Sequence, residues 1–129
     1  MRLNVKVGAV KGQSQEIYVS ANLKQARIEV LPLTPPPADI EAMVVGGQLD
    51  VFAANRARME EVSARYPKLR VLADNFLSIG QAIVIEKGDR ARLDMLDRFI
   101  EDVRGSGFVK ASLERGRIAG AEVAPPPSR

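Results

Sequence analysis

Apolar residues stand at Val5, Val7 and Ala9-Val10, and Lys11-Gly12 closes the run, the pattern of a buried strand entering a tight turn. Ser14 is a residue suited to capping a helix, and Gln15 and Glu16 behind it suit the positive end of the helix dipole. A helix is expected to about Leu23. Ala26 to Leu33, with Ile28, Val30 and Leu31, predicts a second strand, stopped by Pro32 and by Pro35-Pro36-Pro37. Proline is accepted at a first helical position, so Ile40, Met43 and Val44 at helical spacing predict a helix ended by Gly46-Gly47. Leu49-Asp50-Val51-Phe52-Ala53-Ala54 predicts a third strand. Asn55 then caps a helix through Arg58, Met59 and Val62 to Tyr66, where Pro67 forbids continuation.

Leu69 to Ala73 predicts a fourth strand and Gly80 to Glu86 a fifth, ended by Lys87-Gly88-Asp89. Leu93, Leu96, Ile100 and Val103 recur at three and four residues, the clearest amphipathic helix in the chain. Gly105-Ser106-Gly107 breaks it, a further helix follows through Val109 and Leu113, and Pro125-Pro126-Pro127 opens a disordered end. Strands alternating with helices across short connections predict right-handed crossovers, and so an α/β fold of three layers with a mostly parallel sheet flanked by helices.

Composition narrows the chemistry. The chain has 129 residues, 46% of them hydrophobic, enough for one core and too few for two ordinary domains. It has neither Cys nor His, which removes thiolate nucleophiles, Ser-His-Asp relays and the usual zinc ligand sets. Carboxylate acid/base work and hard-cation binding stay open on composition alone, but no pair of acid/base residues can be placed together, so the expectation is a protein that is not an enzyme and takes no cofactor or metal. Nineteen basic and sixteen acidic residues give a net charge of +3, but the signs are interleaved. The densest basic stretch, Arg56 to Arg70, is interrupted by Glu60 and Glu61 and holds Tyr66 as its only aromatic, so it predicts a solvated helix face and no nucleic-acid partner. No apolar run approaches the ~20 residues of a membrane span, and Met1-Arg2-Leu3-Asn4-Val5 has no apolar centre of a secretory signal.

Two turns are candidates for binding. A strand ending in glycine and followed at once by a helix aims unpaired backbone N–H groups at one point, a natural seat for a carboxylate; here this is Lys11-Gly12-Gln13-Ser14. The plainer reading is a simple connection. Ala53-Ala54-Asn55-Arg56 ends the third strand, and ligands of open α/β sheets gather beyond the carboxyl ends of strands. The plainer reading there is that Asn55 only caps its helix and Arg56 is solvated. Asp50, at a strand start, is expected to anchor a neighbouring turn or helix end, and Lys110, Arg115 and Arg117 to form a polar face.

Several segments in order resemble the extracytoplasmic solute-binding proteins that serve ABC transporters of the polar amino acid type, the type II periplasmic binding fold. Val7-Gly8-Ala9-Val10-Lys11-Gly12-Gln13-Ser14-Gln15-Glu16 resembles the strand and turn that enter the second lobe. Gly46-Gly47-Gln48-Leu49-Asp50-Val51-Phe52 is similar to that family's glycine-hydrophobic-aspartate strand, and Gln81 to Asp89 to its return strand. Arg98 to Val109 and the tail Ile118 to Pro125 resemble the closing helices. The resemblance implies lobe two over residues 1–78, a return strand and closing helices over 79–124, and a disordered tail over 125–129.

It further implies ligand contacts at Gly12, Gln13, Ser14, Asn55 and Arg56, with the first turn donating hydrogen bonds to a carboxylate. Asn55 stands where the family has an acid that holds an ammonium group. The expected solute is thus an amino acid or a related small carboxylate, and because an amide cannot neutralise an ammonium, Asn55 with Arg56 beside it points to one lacking the amine, such as an organic acid. An ABC permease, a periplasmic location and a first lobe that this chain does not supply follow from the same resemblance. With one wall of the cleft, weak solute binding is expected, and an uncovered return strand predicts homodimers or exchanged segments. The effector domain of LysR-type regulators and the sensor domain of some receptor kinases share this fold, and stand as the alternative.

Overall fold

The computed structural model describes residues 4–127. The chain divides into two compact units, one reaching to Ile79 and the other beginning at Gly80.

The first unit is α/β. Strands β1 (Lys6–Val10), β2 (Arg27–Leu31) and β3 (Val51–Phe52) form a small open parallel sheet in the order β2-β1-β3. Helix α1 (Ser14–Asn22) joins β1 to β2, α2 (Pro37–Val45) joins β2 to β3, and α3 (Arg56–Arg65) follows β3. In register, Lys6 lies opposite Arg27 and Val7 opposite both Ile28 and Val51. β1 is central and buried from Val7 to Val10, which fits its continuous apolar run: strands of a parallel sheet whose crossovers pass through helices are covered on both faces and need no alternation.

Successive residues of β1 face opposite ways. Val7 and Ala9 pack with Val19 of α1 and with Ala53, and Val5, Tyr18 and Ile28 close around them. Gly8 faces the other way, where the Leu49 side chain, 1% exposed, comes so close that a methyl group on Gly8 would lie 2.5 Å from Leu49 Cδ1. Glycine is therefore demanded here by the approach of a neighbour.

Asp50 anchors the start of the neighbouring strand β1, and not the turn or helix end expected of it. Its Oδ2 accepts the Lys6 N–H at 2.8 Å, and its own N–H donates to the Lys6 carbonyl at 2.9 Å. The Lys6 Nζ donates to the Gly47 carbonyl, and the Ala53 N–H reaches the Gly8 carbonyl at 2.8 Å. The starts and the ends of β1 and β3 are thus both pinned.

The fourth and fifth strands expected at 69–73 and 80–86 are not formed; both segments run without a sheet partner. An apolar run reports a preference for burial but not the existence of a neighbour, and a strand without one leaves its backbone groups unpaired. In the first segment the carbonyls of Leu72 and Ala73 are taken by the Arg56 guanidinium instead. In the second, Ile83 and Val84 are 59% and 92% exposed.

The second unit holds α4 (Arg90–Gly105) and α5 (Phe108–Gly116). Asp89 caps α4, its Oδ1 accepting the Arg92 N–H at 2.9 Å, and the break between the helices falls at Ser106-Gly107. Pro125 to Pro127 lie in no helix or strand; Ser128 and Arg129 of the expected tail lie outside the described residues. No helix among the described residues is long and apolar enough to cross a membrane.

Candidate functional site

Because β1 and β3 are parallel neighbours, their carboxyl ends lie side by side. The turns Lys11–Ser14 and Ala53–Arg56 therefore leave the same edge of the sheet, and α1 and α3 both begin there. Sheet neighbours β1 and β3 are not consecutive in the chain: the path goes out to β2 and crosses back. Such a reversal of strand order is where open α/β sheets leave room for a ligand.

The first turn is shaped by Gly12, whose φ of +76° lies in the left-handed region that glycine enters without strain. Gln13, not Ser14, is the N-cap residue of α1, with φ −80° and ψ 153°, and Ser14 is the first helical residue. The expected cap is thus displaced by one position. The reason is local: the Gln13 N–H closes the turn onto the Val10 carbonyl at 3.2 Å, and its carbonyl accepts the Ile17 N–H at 3.1 Å, the first helical bond. The reach-back that a capping side chain would make comes from Glu16, whose Oε2 accepts the Gly12 N–H at 3.2 Å. Gln13 Nε2 stands 3.5 Å from Thr34 Oγ1, joining this turn to the loop after β2.

Three of the turn's backbone donors, at Lys11, Gly12 and Gln13, are thus engaged within the protein, the first on the Leu31 carbonyl at 2.8 Å. The donors left facing outward are those of the first turn of α1, which an α-helix does not satisfy from within. They carry the favourable end of the helix dipole, opposed by the Glu16 carboxylate in the same turn.

In the second turn Asn55 caps α3 through its side chain, Oδ1 accepting the Ala57 N–H at 3.0 Å. Arg56 is not solvated. Its Nε donates to Asn75 Oδ1 at 2.7 Å, its Nη2 to the carbonyls of Leu72, Ala73 and Asp74 at 2.8, 3.0 and 3.3 Å, and its Nη1 to Glu60 Oε1 at 3.3 Å. With its side chain 22% exposed, Arg56 is committed to the protein on every nitrogen. Arg58, one residue beyond Ala57, donates from Nη2 to the Pro35 carbonyl at 3.3 Å.

The structure therefore brings the five expected site residues to one sheet edge and engages four of them internally, Gly12 and Gln13 through their backbone N–H groups and Asn55 and Arg56 through their side chains. The sequence places Glu16 only as an acid suited to the helix dipole; its bond to the Gly12 N–H, four residues back, reaches one residue beyond the N-cap N–H that a capping box would take. The Arg56 partners, up to 19 residues away in an irregular segment, leave no local pattern to find. Two grooves, of about 430 Å³ beside Leu113 and Ile118 and of about 370 Å³ beside Lys6 and Arg27, include none of the turn residues. No protein-family model matches this chain, and a search of curated proteins finds none similar to it.

Proposed function

We propose that the unit reaching to Ile79 is a ligand-contacting lobe of an extracytoplasmic solute-binding protein that serves an ABC uptake transporter, with a small carboxylate as its solute. The observation that carries this reading is the adjacency of the two turns on the carboxyl edge, at the reversal of strand order between β1 and β3. The outward N–H groups at Ser14 and Gln15 supply donors for a carboxylate. Asn55 offers no charge to an ammonium, so a solute without an α-amine is favoured.

An open edge covers little of a small molecule, and affinity scales with how much of the ligand is enclosed. Millimolar binding is the expectation for this edge alone, which a nitrogen-15 labelled chain titrated with acetate, succinate and glycine would reveal. Saturable amide shifts at Ser14, Gln15 and Asn55 with the two acids, stronger than with glycine and strengthened in Glu16→Gln, support the reading. Shifts that never saturate at these amides, matched by sodium chloride at equal ionic strength, overturn it.

A further inference from the structure

We infer that Arg56 is a positioning residue which holds residues 72–76 as a strap, and that it does not contact ligand. The segment has no helix or strand of its own, and Leu72 and Phe76 are exposed. Nothing in its local sequence would order it. Yet its backbone turns three successive carbonyls, of Leu72, Ala73 and Asp74, onto one guanidinium nitrogen, and the Asn75 side chain onto another.

Only arginine matches this arrangement. Its planar fork of five N–H donors spreads over two sides, so Nη2 can be shared among three carbonyls while Nε holds the amide of Asn75. Lysine, a single point of charge, could serve the carbonyls but could not span to Asn75 as well. Glu60, at 3.3 Å, faces Nη1 and fixes the remaining side of the group.

The far end of the strap has a second hold: the Phe76 ring packs against Tyr18 of α1, centroids 5.7 Å apart and planes tilted by 42°, a separation and tilt at which rings attract. Arg56 is the first residue of α3 and Tyr18 lies in α1. The strap therefore braces the two helices that begin at the carboxyl edge, and it does so whether or not that edge takes a ligand.

Nitrogen-15 relaxation on the full chain tests this directly, with variants Arg56→Ala, Arg56→Lys, Asn75→Ala and Tyr18→Leu. In the native chain the order parameters of residues 72–76 should approach the ~0.85 of a rigid backbone, and in Arg56→Ala they should fall below about 0.6, while the amides of β1 keep their values. Arg56→Lys should restore order at 72–74 but not at 75, and Tyr18→Leu should loosen residue 76 alone. Asn75→Ala, the mildest change, keeps the test open if Arg56→Ala does not fold, and should lower the order of residue 75 and shift the Arg56 Nε–H resonance. Unchanged order at 72–76 in Arg56→Ala or Asn75→Ala, or a strap already mobile in the native chain, overturns the inference. So does a shift of the Arg56 Nε–H resonance that saturates with acetate, since Arg56 would then be a ligand group and the carboxylate reading would survive without the strap.

Discussion

At single residues, the structure separates positions whose side chains build the fold from positions open to a ligand. Asn55 does the first: its Oδ1 caps α3. Asn55→Ala should therefore cost about 1 kcal/mol, and Asn55→Asp should be neutral or stabilising by a few tenths, since an acid caps as well and suits the helix N-terminus. Thermal melts of the two variants check this, and a loss in Asn55→Asp equal to that in Asn55→Ala would refute it. Gly8 poses an opposite problem. Alanine in place of a strand glycine gains roughly 0.5–1 kcal/mol from the restricted unfolded chain, but overpacking a filled core costs roughly 1–3 kcal/mol. With Leu49 Cδ1 only 2.5 Å from the added methyl, overpacking wins, and Gly8→Ala should lower the urea midpoint by the equivalent of about 1 kcal/mol without altering the slope.

At the level of elements, the first three strands and the first three helices were legible because each carries its own signal. The closed apolar run of β1, the prolines before α2 and Asn55 before α3 are all local, and a local signal survives folding unchanged. Leu69 to Ala73 and Gly80 to Glu86 carry a strand pattern too. What they lack is a partner, and pairing is a property of the sheet that no window of sequence contains. The candidate edge was legible for the same reason that β1 and β3 were, and the Arg56 strap was not, because guanidinium and carbonyls meet across irregular chain. The difference between a signal and its fulfilment should be measurable. Ile40 in α2, 2% exposed, should cost about 2–5 kcal/mol when cut to alanine, whereas Val84, 92% exposed, should tolerate lysine within about 0.5 kcal/mol. Equal losses in chemical denaturation would mean that Val84 is covered in solution.

For the whole molecule, the two units differ in how well they bury what they carry. The first has a central strand covered on both faces, while α4 and α5 of the second contain no buried residue, and Met95, Phe99 and Phe108 are exposed. Uncovered apolar surface of this kind drives association, so light scattering after size exclusion should show a mass that rises with concentration, and Phe99→Glu should return it toward 14.1 kDa. A monomer at all concentrations would count against it.

The strand order also fixes a sequence of events in time. Pairing Lys6 with Arg27 closes 21 residues and pairing Val7 with Val51 closes 44, and the longer closure costs more entropy before any bond repays it. β1, α1 and β2 should therefore assemble first and β3 dock late, although β3 sits directly beside the strand that begins the fold. Val19→Ala should then slow refolding, whereas Asp50→Ala, which cuts the late clasp on Lys6, should chiefly speed unfolding. The same hydrogen bond that pins the sheet would be the last formed and the first released, making Asp50 a control on how long the folded state lasts more than on how fast it is reached.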